Sequence, residues 1–240
     1  MRLLSYNIHK GVGGRDRRCR LERIIEVLES KNSDLMCLQE VTRGARRSRY
    51  DNQPRRLANH FHAVQFVYQT NIHYKVGGYG NLLLSRWPLR VSHQISLQME
   101  RKKSRGAQLV VVETPEGPLH LVNCHLGLAE KERHWQINHL LRHHLFRESA
   151  NLPTLIVGDM NDWRNSLRTG TLASHEFHQA THPPSRFCTF PAWLPAGSLD
   201  KAFANNQIIV RHAQVVRTAL AKRASDHLPI LIDFHLKPPA

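Results

Sequence analysis

The stretch Thr154-Leu155-Ile156-Val157-Gly158-Asp159-Met160-Asn161-Asp162-Trp163-Arg164-Asn165 constrains this chain more than any other. Its first four residues are apolar or β-branched, the composition of a buried strand rather than a helix start. Gly158 stops the run and permits a sharp or close-packed turn. A carboxylate and an amide follow two positions apart, Asp159 and Asn161. In an extended segment side chains at that spacing point to the same side, so both reach one point. The pair suits the orientation of a water or a metal ion. It equally suits an Asx-turn that closes a strand.

The rest of the chain repeats this theme. Arg2–Ile8, Leu35–Leu38, Asn81–Ser85 and Ile230–Phe234 read as strands, and Gln207–Val216 is strand-like. Arg90–Gln98 alternates weakly. Gly106–Glu113 and Pro118–Cys124 form an expected hairpin about Thr114-Pro115-Glu116-Gly117. Leu21, Ile24, Ile25 and Leu28 fall at helical spacing and predict a helix over Arg20–Lys31. A weaker helix is expected over Pro54–His62 and a long one over Glu130–Glu148. The region from Asn165 to Gly197 reads as loop. At 240 residues the chain can bury a substantial core. No repeat or linker-like composition break divides it, so one domain spanning 1–240 is expected.

Ligand-type residues stand at the strand ends: Asn7, Glu40, His125, Asp159 with Asn161, and Asp226 with His227; Asp200 is a sixth position. Each alone has a plain structural explanation, a lone histidine most of all. Together they form the pattern expected of a site, because binding and catalytic groups gather at strand ends and in the loops beyond.

The ordered motifs S-Y-N-I, L-Q-E-V, G-N-L-L-L-S-R, N-C-H-L-G, V-G-D-M-N-D, S-L-D and S-D-H-L-P resemble those of the endonuclease/exonuclease/phosphatase superfamily, the DNase-I-like metal-dependent phosphohydrolases. H-L-G-L, G-D-x-N-D-W-R and the T-F-P segment are most similar to its small bacterial members. The resemblance implies an α/β fold, a DNase-I-like four-layer α/β/β/α sandwich of two mixed β-sheets flanked by helices. It implies that Glu40 is the main carboxylate ligand of Mg²⁺ (or Mn²⁺), with Asn7 beside it and Asp226 as a second metal-side acid. Hard cations of this kind take oxygen ligands and retain waters. Asp159 would position or deprotonate the attacking water, and Asn161 would hold phosphate oxygens. His227, oriented by Asp200, and His125 would form a general acid–base pair. Arg105, ahead of a strand, is a candidate phosphate clamp, since guanidinium forks match phosphate oxygens; a plain surface arginine is the other reading.

Charge narrows the partners. The chain has 34 Lys+Arg against 19 Asp+Glu, a formal +15. The excess is clustered at Arg15–Arg20, Arg43–Arg49 and Arg101–Arg105. Such clusters fit a polyanion or, more plainly, solvated loops; for a polyanion, nucleic acid cleaved endo- or exonucleolytically is the first expectation. A phosphodiester in lipid at an anionic membrane surface is the second. A non-catalytic binding module is the third, disfavoured because Glu40, Asp159, Asp200 and His227 are all present. Trp163 could stack on substrate or dip into lipid, but packing of its own loop is the expected role. The four cysteines form no metal or disulfide pattern. With neither a signal-like N-terminus nor a spanning apolar run, a cytoplasmic location is expected. No obligate protein partner is evident.

Overall fold

The computed structural model describes residues 1–238. Among the described residues twelve strands are formed: β1 (Arg2–Asn7), β2 (Leu35–Arg43), β3 (Gln65–His73), β4 (Gly78–Ser85), β5 (Leu89–Ser96), β6 (Gly106–Thr114), β7 (Gly117–His125), β8 (Thr154–Asp159), β9 (His178–Gln179), β10 (Asp200–Ala204), β11 (Ile208–Val215) and β12 (Ile230–Leu236). The helices are α1 (Leu21–Glu29), α2 (Gln53–His60), α3 (Glu130–Arg142) and the single turns α4 (His144–Arg147), α5 (Thr171–Ser174) and α6 (Ala221–Ala224).

The strands make two six-stranded sheets, ordered β11-β12-β1-β2-β4-β3 and β5-β6-β7-β8-β10-β9. Each is mixed in the same way. One central parallel pair, β1/β2 or β7/β8, is flanked on both sides by antiparallel neighbours. The parallel pairs are joined through α1 and α3 respectively, as parallel neighbours require a crossover.

Strand periodicity explains the layering. In β7 and β8, Leu119, Leu121, Leu155 and Val157 enter the core shared with the first sheet and α1. The alternate residues Val122, Cys124 and Ile156 pack with Ile137, Leu140 and Leu141 of α3. Both faces of the second sheet are therefore buried, which is why these strands read as nearly continuous apolar runs. The expected two-sheet sandwich with outer helices is the fold observed.

Local differences have local causes. The helix expected over Glu130–Glu148 breaks at His143, which is extended (φ −64°, ψ 134°), and its Nδ1 accepts from the Leu145 N–H that opens α4. Strand β3 escaped the sequence reading because it is a sheet edge of mixed polarity, half-exposed along its length. Strand β8 continues through Gly158 to Asp159 instead of turning there. Gly158 has φ +143°, and a Cβ on it would collide with the Cys124 carbonyl oxygen. The glycine serves close strand packing.

A ladder of buried amides joins the sheets near one end. Gln39 Nε2 donates to Asn123 Oδ1 (2.8 Å), and Asn123 Nδ2 donates to Gln108 Oε1 (2.8 Å). Gln108 Nε2 in turn donates to the Val67 carbonyl (2.7 Å). Replacing Asn123 with Leu strands the buried Gln108 Oε1 and removes one of the three acceptors of Gln39 Nε2, at a cost of about 2–4 kcal/mol in all. Thermal melting of Asn123→Leu should fall by roughly 5–15 °C for a domain of this size; a melt matching wild type would show that the ladder contributes nothing to stability.

Candidate active site

The carboxyl ends of both parallel pairs come together at one end of the sandwich. Asn7 ends β1, Glu40 lies near the end of β2, and His125 and Asp159 end β7 and β8. Antiparallel neighbours bring in strand starts at the same level. Gly106 pairs with His125, His125 with Asp159, and Asp159 with Asp200, one row across the second sheet. Arg105 immediately precedes that row, and His227 precedes β12.

Asp159 is the centre of the cluster. Its Oδ2 accepts from Asn7 Nδ2 (3.0 Å) across the gap between sheets, and its Oδ1 accepts from the Asn161 N–H (3.0 Å). His125 Nε2 lies 3.4 Å and His227 Nε2 3.7 Å from the same Oδ2. Asn161 is left-handed (φ 48°), so the turn and not strand alternation brings it beside Asp159. Its Nδ2 donates to the Leu126 carbonyl (3.0 Å), tying the loop to the end of β7.

His227 and Asp200 form the second couple. Nδ1–H of His227 donates to Asp200 Oδ2 (2.8 Å), which also accepts from Thr189 Oγ1 (2.5 Å). Phe190 covers the imidazole at a ring separation of 4.9 Å. Thr189 and Phe190 belong to the T-F-P segment, visible in the sequence without an assignable role there.

The protonation states are set by this geometry. Burial opposes charge on His227, but the charges of Asp200 and Asp159 prevail and lift its pKa to about 10. Burial, opposed by His227 and the hydrogen bonds of Asn7 and Asn161, leaves Asp159 raised to about 6. Burial and then the positive charge of Arg105 hold His125 well below the ordinary histidine value. The two histidines thus differ, one cationic and one neutral.

Two groups could take a cation. Asp159, Asp200 and His227 present ligand atoms within 4.8 Å of one another. The closest contact in this group is the hydrogen bond between His227 Nδ1 and Asp200 Oδ2 (2.8 Å), and a metal bound through the imidazole would have to displace a ring proton. The other group is Glu40, Asn7 and Asp226. Glu40 sits at the irregularity where β2 slips against β4, with φ +55°, and its carboxylate is paired with the ammonium of Lys10. Burial would raise its pKa, but the charge and hydrogen bond of Lys10 hold it below the usual value. Asp226 lies 3.5 Å from His9 Nδ1. Glu40 and Asp226 keep partly open carboxylates, 13% and 27% exposed, next to the buried Asn7 amide; oxygen donors suit a hard divalent ion keeping some of its water. Lys10 and His9 were missed as site residues because the loop after β1 signals only a turn.

Arg105 is 5% exposed, and its Nε is buried without a partner. It is therefore not a surface arginine. Trp163 lies edge-on to Phe190 at 5.9 Å and covers Gly197, where a Cβ would meet the indole. Its packing role is visible, although 57% of it remains exposed.

The sequence profile of the Endonuclease/Exonuclease/phosphatase family matches residues 4–227. The chain belongs to this family. The uncharacterized protein YbhP of Escherichia coli K12 is 29% identical over 256 residues, 98% of this chain and 96% of that protein. The endonuclease/exonuclease/phosphatase of Beutenbergia cavernae superposes with a TM-score of 0.85 at 22% identity, over 99% of this chain and 72% of that one. The mannosyl-6-phosphatase of Bacteroides thetaiotaomicron has a TM-score of 0.75 at 14% identity, over 98% and 99%. Family members are generally hydrolases of phosphoester bonds and typically depend on a divalent metal.

The His227–Asp200 ion pair has a measurable consequence. Its folded pKa lies above the unfolded value of about 6.5. The pair's stabilisation is therefore fully present below ~6.5 and disappears as pH rises through about 10. Nitrogen-detected NMR of the EDTA-treated protein should show a doubly protonated His227 at neutral pH. Asp200→Asn should lower its titration point, and an unmoved titration would mean that Asp200 does not hold the proton.

Proposed function

We propose that this chain is a metal-dependent phosphodiesterase that cleaves by in-line attack of water, with nucleic acid as its substrate. The observation that carries the reading is the Asp159 carboxylate, buried among Asn7, His125 and His227 where the two sheets meet. A phosphodiester is an anion that repels nucleophiles, so its hydrolysis needs an oriented water, positive charge and a proton for the leaving oxygen.

Asp159, with a pKa near 6, is ionised at neutral pH and still basic enough to accept a proton from water in the transition state. Asn7 and the Asn161 N–H fix both of its oxygens in place. His227 keeps its proton until negative charge develops on the leaving oxygen, and then donates it from Nε2; Asp200 holds the ring through Nδ1. The water's proton ends on Asp159 and the leaving alcohol carries the proton from His227. His125, neutral, donates a hydrogen bond to a phosphoryl oxygen. Arg105 and the free N–H of the Asn161 amide take the remaining phosphate oxygens. Glu40, Asn7 and Asp226 would hold Mg²⁺ or Mn²⁺, which when bound supplies further positive charge at the phosphate.

The formal +15 supports a polyanionic substrate. A second reading, a lipid head-group diester, is favoured by exposed aliphatic tips at the same end of the molecule, Leu128 (72%) and Leu194 (64%).

Hydrolysis of bis(p-nitrophenyl) phosphate should require Mg²⁺ or Mn²⁺ and should fall by roughly 10⁴-fold in Asp159→Asn, the scale of a lost general base. Glu40→Gln should raise the metal concentration needed for half-maximal rate. A near-wild-type rate in Asp159→Asn would remove its proposed role. Oligonucleotides compared with anionic vesicles carrying a labelled head group would then separate the two substrate readings.

A further inference from the structure

A groove of about 690 Å³ opens at the site end of the first sheet, lined by Arg46, Arg47, Tyr50, Tyr74, Lys75 and Val76. These residues belong to the loop after β2 and the turn from β3 to β4, which begin and end where Arg43 pairs with Gly78. A chain of packed side chains links the groove wall to the site. Glu40 is paired with Lys10, Lys10 lies 4.6 Å from the centre of the Tyr79 ring, and Tyr79 packs on Tyr74 at 5.7 Å.

Its chemistry is incomplete on its own. Among the described residues, Arg46, Arg47 and Lys75 have no acidic partner; the neighbouring Asp51 is taken by Arg56. Tyr50 and Tyr74 leave 60% and 45% of their surfaces open. Cations without acids ask for phosphates, and open aromatic rings ask for flat apolar faces. We propose that this groove binds the unpaired nucleotides next to the scissile phosphate, so that the substrate is single-stranded nucleic acid; the proposal rests on the nuclease reading above.

The aromatic faces decide the strand state. In a duplex the bases are stacked inside and cannot reach a tyrosine in a groove, whereas unstacked bases can lie on it. The groove lining sets three cations beside two phenolic rings, a combination that a strand's phosphates and bases engage together.

The test uses fluorescence anisotropy of the full-length protein with a labelled single strand, the same strand made abasic, its duplex, and phosphatidylserine vesicles. The single strand should bind at least about 5-fold more tightly than the duplex. Tyr50→Ala and Tyr74→Ala should each weaken it by about 5-fold or more, the range for a lost base stack, with little effect on the abasic strand. The double variant Arg46→Ala/Arg47→Ala should reduce the salt slope of binding by about 1.4, from ~0.7 per phosphate contact. All three variants should hydrolyse bis(p-nitrophenyl) phosphate at the wild-type rate. Equal affinity for duplex and single strand, or single-strand binding indifferent to both tyrosines, would overturn the proposal. Vesicle binding lost in the same variants would also overturn it and assign the groove to lipid. If the wild type fails to hydrolyse the small diester, the phosphodiesterase reading fails, while the binding data still judge the groove.

Discussion

One hydrogen bond links the two halves of this molecule at the point where its chemistry is concentrated: Asn7 at the end of the first sheet's β1 donates to Asp159 at the end of the second sheet's β8. Neither residue could reach the other unless both parallel pairs ended at the same height. That condition depends on the packing of the sheets, and the amide ladder of Gln39, Asn123 and Gln108 enforces it from within. A buried ladder of this kind has one satisfactory register, because a slip would orphan several amides in a dry interior. The apolar core holds the sheets together, and the ladder sets how they align.

The alignment explains the electrostatics. Bringing Asp159 and Asp200 opposite one another in neighbouring strands places two carboxylates where water cannot separate them. His227 between them carries the compensating charge, which is why it holds its proton to about 10. His125 enters the same space from the other side, where burial first and then the charge of Arg105 hold its pKa down, so it stays neutral. Two histidines of equal intrinsic acidity are driven apart by burial and by the charges around them, the kind of separation that gives paired titratable groups different proton affinities.

Much of this was legible in the sequence because strand ends carry their signal locally. The apolar run before Asp159 and the hairpin about Thr114–Gly117 follow from composition and turn chemistry, and the order of the motifs indicated the family. Glu40 was visible as a strand-end acid, but the strand runs on to Arg43 past an irregularity in register that no periodicity announces. Lys10 and Thr189 became site residues only through contacts at long sequence range, with Glu40 and Asp200. Strand β3 was hidden because an edge strand need not be apolar on either face. What the sequence could not show was which loops meet, and so the Tyr and Arg groove beside Glu40 stayed invisible while its arginines were counted only as charge.

The G-D-M-N-D run shows how adjacent acids acquire different work. Asp159 faces the site, whereas Asp162 is wholly buried and accepts from the N–H groups of Ser166 (3.0 Å) and Leu167 (3.1 Å). Arg133 lies 3.8 Å from it. Lys201 is fully buried nearby, donates to the Ser198 carbonyl (2.6 Å), and has its pKa lowered by burial to about 8. Lys201 pairs with Gly158 in the register that sets Asp200 against Asp159, so strand alternation sends its side chain away from the site. The loop that follows Asp159 is therefore secured from below by a second acid, with the buried cations Arg133 and Lys201 near it. Asp159 holds only the first step of the turn, through the Asn161 N–H, and Asp162 holds the rest, so the run divides the site-facing and loop-holding positions between two acids.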